Sequence, residues 1–288
     1  MKRGRFAMAA AGTAALAATA WLLASTRADY LANASLAERM AALAQRTTQP
    51  SAECKVTGRP RPLVLLALGQ SNAANHGSLG IAAAGTITQF QSGSCFRSID
   101  PLPGATGVGG SIWSHVPKEL AALSFGRSVI FAVLAVDATR VDDWTRPRSP
   151  LRERLLQELH LMVKQDLVPD LVLWQQGEAD ARAGTSVSSY SESLLDLKRL
   201  LEQAGVQAPM LLAYSTVCRN TPSDTIRRAV DVVLTQQAGF QRGPDTDTLD
   251  GPQYRHDACH FSAQGLEAAA RMWATQLRTA APVWPSGS

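Results

Sequence analysis

Leu63-Val-Leu-Leu-Ala-Leu68 runs without a polar residue into Gly69-Gln70-Ser71-Asn72. A short apolar run with no alternation suits a strand buried on both faces, as in a parallel sheet covered by helices. The polar tetrapeptide then falls on the loop leaving the strand's carboxyl end. Comparable runs lie at Ser128 to Val136, Leu171 to Trp174 and Met210 to Tyr214. Amphipathic helical patterns separate and follow them near 113–124, 151–166, 187–204, 222–239 and 262–279. Gly205 is placed to end one of these helices, and Pro209 stands just before the next strand. Strand followed by helix, repeated along the chain, predicts an α/β fold with a mainly parallel sheet and helices on both faces. In such folds ligands bind in the loops beyond the carboxyl ends of the strands.

Three polar clusters fall in that position or close the chain. Ser71 leaves the first strand on a loop that Gly69 allows to turn tightly, although a helix N-cap is an equally simple use of a serine there. Trp174-Gln175-Gln176-Gly177-Glu178-Ala179-Asp180 follows the strand at 171–173, and a side-chain amide in it is suited to donate to an oxyanion. Asp257-Ala258-Cys259-His260 precedes the last helical pattern, with a carboxylate three positions from an imidazole base. His256 competes as a base but reads as an exposed loop residue, and His76, His115 and His160 have structural readings. Arg140, Asp142, Asp143 and Trp144 follow the strand at 128–136 and read either as pocket lining or as a surface loop.

The 288 residues suit one domain with an N-terminal extension, and 45% apolar against 18% charged residues supports a large core. Lys2, Arg3, Arg5 and Arg27 are the basic residues of the first 28 positions, which hold no acid. The remainder carries 24 basic and 24 acidic residues, so the body is neutral and a nucleic-acid partner is not expected. The basic cluster precedes an uncharged stretch from Phe6 to Thr26. It reads as an export signal, either an uncleaved anchor holding the protein to the membrane by residues 6–26 or a signal peptide cut after Ala28. Residues 29–60 read as a helical stalk and linker, 61–281 as the folded domain and 282–288 as a C-terminal tail. Cys54, Cys95, Cys218 and Cys259 fit an oxidising, periplasmic or extracellular setting. Four cysteines allow three pairings, of which Cys54 with Cys95 and Cys218 with Cys259 is the one expected. Zinc is not expected, because no close Cys or His pairing has ligand spacing.

The order of the three clusters resembles that of the SGNH-hydrolase superfamily, in its branch of sialate O-acetylesterase-like carbohydrate esterases. Gly69–Asn72 matches the nucleophile block, Trp174–Asp180 the Trp-x-Gln-Gly-Glu-x-Asp block and Asp257–His260 the closing Asp-x-x-His. The resemblance implies a three-layer α/β/α, flavodoxin-like fold with a central five-stranded sheet and neither metal nor organic cofactor. It implies a serine esterase in which Ser71 attacks, His260 moves the proton and Asp257 orients His260. An oxyanion hole is expected from the Ser71 N–H, the Gln176 side chain and a glycine of Gly107-Val-Gly-Gly-Ser111, with Gly110 preferred to Gly109. Gln70, Asn72 and Glu178 are expected at the substrate. The implied substrate is an acylated carbohydrate, with hydrolysis and acyl transfer both open. The rival class is an inactive hydrolase fold that binds glycans or acts as a membrane-tethered scaffold.

Overall fold

The computed structural model describes residues 27, 30–41, 43, 51–54, 60–78, 86–219 and 221–281. Of the expected export signal at 1–28 only residue 27 is among them, and the tail at 282–288 lies outside them. Among the described residues no helix is long and apolar enough to cross a membrane.

Strands β1 (Ser51–Ala52), β2 (Leu63–Gly69), β3 (Ile87–Gln91), β4 (Ser94–Ser98), β5 (Val129–Ala135), β6 (Leu171–Gln175), β7 (Met210–Tyr214) and β8 (Phe240–Asp245) form one sheet in the order β1-β4-β3-β5-β2-β6-β7-β8. Only the pairings of β4, with β3 and with β1, are antiparallel. The sheet thus has eight strands where five were expected. Beyond the four strands that the apolar runs mark, the sheet holds a hairpin turning at Ser92-Gly93, both at positive φ, a two-residue edge strand and the polar strand Phe-Gln-Arg-Gly-Pro-Asp. None of these is the continuous apolar run that marks a central strand.

Helices are α1 (30–41), α2 (Ile112–Ala122), α3 (Pro150–Lys164), α4 (Glu178–Ala183), α5 (Val187–Gln203), α6 (Asp224–Gln236) and α7 (Ala263–Ala280). Every residue from Leu63 to Leu68 is fully buried, because both faces of β2 are covered. Leu63, Leu65 and Ala67 point into a core shared with α2 and α7. Val64, Leu66 and Leu68 point into a second core shared with α3, α5 and α6. This is the three-layer α/β/α arrangement. β2 lies between β5 and β6, so the chain switches sides of the sheet next to it, and Ser71 leaves β2 at that switch point.

Within the stretch 29–60, expected as a stalk and linker, the described residues of α1 and β1 pack on the folded domain. Leu36 of α1 is fully buried in the same core as α3, and Asn33 of α1 exchanges hydrogen bonds with the Arg146–Arg148 segment. β1 pairs with β4, and the Cys54–Cys95 disulfide pins the segment that follows it. An apolar face on α1 is the reason: a free helix would leave Leu36 and Met40 in water. Leu36→Ala in the full chain should therefore cost roughly 2–5 kcal/mol of unfolding free energy by urea titration. A loss inside the error of the measurement would restore the stalk.

Candidate active site

Gly69 ends β2 with φ +153, and a Cβ there would lie 2.1 Å from the Gln175 carbonyl oxygen. The close approach of β2 and β6 demands glycine, and it fixes where the next three side chains emerge. Ser71, Asn72 and Ala73 form a short 3-10 turn, all buried. The Ser71 hydroxyl has no hydrogen-bond partner among the described residues, and neither does its N–H.

Asp257 and His260 come from one loop, as their spacing anticipates. His260 Nδ1 lies 2.8 Å from Asp257 Oδ2, and Asp257 Oδ1 accepts from the N–H groups of His260 and Cys259 at 2.7 and 3.0 Å. Partial burial works to raise the Asp257 pKa, but the backbone and ring hydrogen bonds and the charge of His260 outweigh it and bring the carboxyl down to about 2. Asp257 is therefore ionised at any pH of interest and fixes the ring with Nδ1 toward it.

The serine and histidine loops are joined through their neighbours. Asn72 Nδ2 donates to Glu178 Oε1 at 2.7 Å and to the Cys259 carbonyl at 3.2 Å. Arg255 donates to the same carbonyl and to those of Leu249 and Thr246, its guanidinium lying over Phe261. The Cys218–Cys259 disulfide forms as expected, and the Arg219 N–H donates to the Ala258 carbonyl at 2.7 Å. No direct hydrogen bond links Ser71 to His260 among the described residues; His260 Nε2 has Cys259 Sγ at 3.9 Å.

Two of the expected oxyanion donors are already engaged. The Gly110 N–H donates to Gly77, whose N–H donates back, both at 3.0 Å, so Gly110 serves a backbone bridge. Gln176 Nε2 faces Asp180 Oδ2, the Thr139 carbonyl and Gln70 Oε1, while its own oxygen accepts from Tyr190. Gly109 is likewise bonded, to Asn75. Gly107 differs: its N–H has no acceptor among the described residues, and its α-carbon packs against Asn75 and the His76 ring. The expected substrate contacts divide in the same way. Asn72 and Glu178 are buried and bonded to each other. Gln70 Oε1 accepts from the Ala179 N–H at 3.0 Å and from Gln176, leaving its amide nitrogen without a partner among the described residues.

Sequence reasoning passed over His76 and Arg255. The His76 ring stacks on His260 with centroids 5.3 Å apart, and Nε2 meets Thr106 Oγ1 at 3.2 Å. Burial lowers the His76 pKa, which disfavours a positive charge on the ring stacked against His260. Neither residue sits in a recognisable pattern; each is defined by what it touches. Trp144 is not pocket lining, being fully buried edge-on against Trp174. His256 is exposed, as its sequence reading has it. It joins Asp257 and His260 in a group whose ligand atoms lie within 4.8 Å of one another, although the latter two are already engaged with each other.

A family model described as carbohydrate esterase, sialic acid-specific acetylesterase, matches residues 106–279, more than half of the chain. The chain belongs to that family. It is a carboxylic ester hydrolase. The match takes in the Gln-Gly-Glu and Asp-x-x-His blocks of this esterase and begins after Ser71. Among solved structures, a protein from Arabidopsis thaliana is similar at TM-score 0.62 and 16% identity, over 76% of this chain and 98% of that one. A carbohydrate acetylesterase from Xanthomonas citri is similar at TM-score 0.52 and 16% identity, over 76% of this chain but only 56% of that one. A family 3 carbohydrate esterase from Talaromyces cellulolyticus is similar at TM-score 0.50 and 13% identity, over 75% and 97%. At these identities the likeness is one of fold. No curated protein sequence matches the esterase.

Glu178 gives a test of the network behind the site. Its burial raises the pKa from 4.5 to about 7, against hydrogen bonds from Asn72 and Ser215 that favour the charged form. The folded protein therefore keeps a proton that the unfolded chain has already lost, and stability falls as pH rises between those two values. Glu178→Gln keeps an acceptor for Asn72 and Ser215 and removes the titration. The melting temperature of the wild type relative to the variant should drop between about pH 5 and about pH 7.5. A difference that stays flat across that range contradicts the assignment.

Proposed function

We propose that this esterase releases acetyl or another short acyl group from a carbohydrate outside the cytoplasm, through an acyl-enzyme formed on Ser71. Ser71 Oγ attacks the ester carbonyl while His260 Nε2 takes its proton, and the developing imidazolium is stabilised by the ionised Asp257. Collapse of the tetrahedral intermediate breaks the bond to the sugar oxygen, which leaves with the proton from His260. Water then attacks the acyl-enzyme with His260 again as base, releasing the acid and restoring the serine. The observation that carries this reading is the Asp257–His260 pair at 2.8 Å, on a loop tied through the Cys259 carbonyl to the residue beside Ser71.

For the oxyanion, the free N–H groups of Ser71 and Gly107 and the unpartnered amide of Gln70 replace Gly110 and Gln176 in our reading. A hole built from donors that have no other partner needs no bond broken when the charge develops. The two disulfides point to an oxidising compartment, which agrees with the export signal read from the N-terminal sequence.

Ser71→Ala, His260→Ala and Asp257→Asn should each lower kcat for acetate release by about 10⁴-fold, with the fold intact by circular dichroism. Undiminished hydrolysis of p-nitrophenyl acetate by Ser71→Ala would reject the mechanism, and glycan binding without turnover in the wild type would favour the scaffold reading. Gln70→Glu keeps the acceptor for Ala179 but loses the amide donor. It should lower kcat by roughly 10²-fold, and an unchanged kcat removes Gln70 from the oxyanion hole.

A further inference from the structure

A cavity of about 430 Å³ opens where α1, the loop after β5 and α4 meet, and four arginines line it: Arg39, Arg140, Arg146 and Arg182. Asp143 is the one acidic residue in its wall. Arg146 is spent partly on Asp143 at 3.1 Å and on Asp142 at 3.5 Å, and Arg140 on Asp142 at 3.0 Å. Arg39 and Arg182 have no carboxylate partner and no hydrogen bond among the described residues. The Nε atoms of Arg39 and Arg146 are buried without an acceptor. Arg39 is half-buried and Arg182 exposed, so the cavity presents guanidinium donors that no carboxylate answers, a setting suited to an anion.

Its place ties it to the reaction. The cavity wall includes Ala179, whose N–H donates to the side chain of Gln70, the residue before Ser71. The loops that line it leave the carboxyl ends of β5 and β6, the strands on either side of β2. The arginine on α1 lies outside the stretch matched by the family model.

We infer that this arginine-lined cavity is a subsite for an anionic oxygen group, carboxylate or phosphate, on the glycan that carries the ester. The inference rests on the proposed carbohydrate esterase reading for its substrate, although the binding event does not require turnover. The guanidiniums of Arg39 and Arg182, both in the cavity wall, are planar donors suited to the bidentate acceptors of either group, and a neutral glycan brings no charge to meet them.

Calorimetric titration of the full chain with deacetylated oligogalacturonate, glucose 6-phosphate and neutral xylo-oligosaccharide separates the outcomes. The wild type should bind at least one of the two anions, and Arg39→Gln/Arg182→Gln should weaken that Kd by about tenfold or more. Arg182→Glu alone, an exposed position, repeats the test where the double variant is poorly folded. Preference for the sugar phosphate with the same arginine dependence supports the subsite and assigns it phosphate. Failure of both anions to bind, or binding that ignores the arginines, overturns it. In kinetics, the ratio of kcat/KM for an acetylated oligouronate over that for an acetylated xylo-oligosaccharide should fall about tenfold in the double variant. An unchanged ratio counts against the subsite. Absence of hydrolysis with every ester, alongside intact arginine-dependent binding, would instead sink the esterase mechanism and leave the subsite standing.

Discussion

The Cys259 carbonyl receives hydrogen bonds from Asn72, 187 positions earlier in the chain, and from Arg255, four positions earlier. It is where the loop carrying His260 meets the loop carrying Ser71. Bringing such distant segments together costs chain entropy that neither loop recovers alone. The return comes from a buried polar network behind Asn72. Trp273 donates to Gln175, Gln175 to Ser215 and Thr246, Ser215 to Glu178, and Glu178 accepts from Asn72. Every link crosses between elements, so α7, β6, the loops after β7 and β8, and the serine turn are fixed by one chain of contacts. Removing a single member leaves buried partners unsatisfied, at a cost of about 1–3 kcal/mol each.

Two carboxyl groups near the site show how environment divides labour within one residue type. Glu178 is wholly buried, and its hydrogen bonds from Asn72 and Ser215 do not offset the loss of hydration, so its pKa rises to about 7. Asp257 is partly exposed and receives two backbone N–H groups and the His260 ring, so its pKa falls to about 2. The carboxyl beside the His260 ring is thus the one held in its charged form. The group that holds geometry sits where its charge is least favoured, and its partners bond to it as acceptor in either state.

Much of this was legible in the sequence because it rests on local pattern. The unbroken apolar run at 63–68 gave the central strand, and helical periodicity located α2, α3, α5, α6 and α7 to within about three residues, the usual uncertainty at helix ends. The three-residue offset in Asp257–His260 anticipated a pair on one loop. The polar strand β8 and the β3–β4 hairpin were not legible, since an edge strand needs no apolar run. Gly110 and Gln176, expected as oxyanion donors from their motifs, already hold other partners in the structure. A motif shows which residues are capable of donating, while the tertiary contacts decide which are still free to do so. Gln176 is bonded to Asp180 and Thr139, while the amide nitrogen of its neighbour Gln70 has no partner among the described residues, the Gln70 oxygen being held by Gln176 and Ala179.

The histidine loop is held from four directions: by Asn72 and Arg255 at the Cys259 carbonyl, by Cys218 at its sulfur, and by the Arg219 N–H at the Ala258 carbonyl. Ala258 sits at φ +63, a left-handed conformation disfavoured for a side-chain-bearing residue. Such a residue persists where its surroundings over-determine it. That conformation also lets Asp257 turn back onto the N–H groups of Cys259 and His260 while its second oxygen meets the ring. The same constraints that strain the backbone at one residue therefore orient the imidazole before any substrate arrives. Orientation fixed in advance leaves less to be reorganised during the reaction, which is where preorganised sites gain rate.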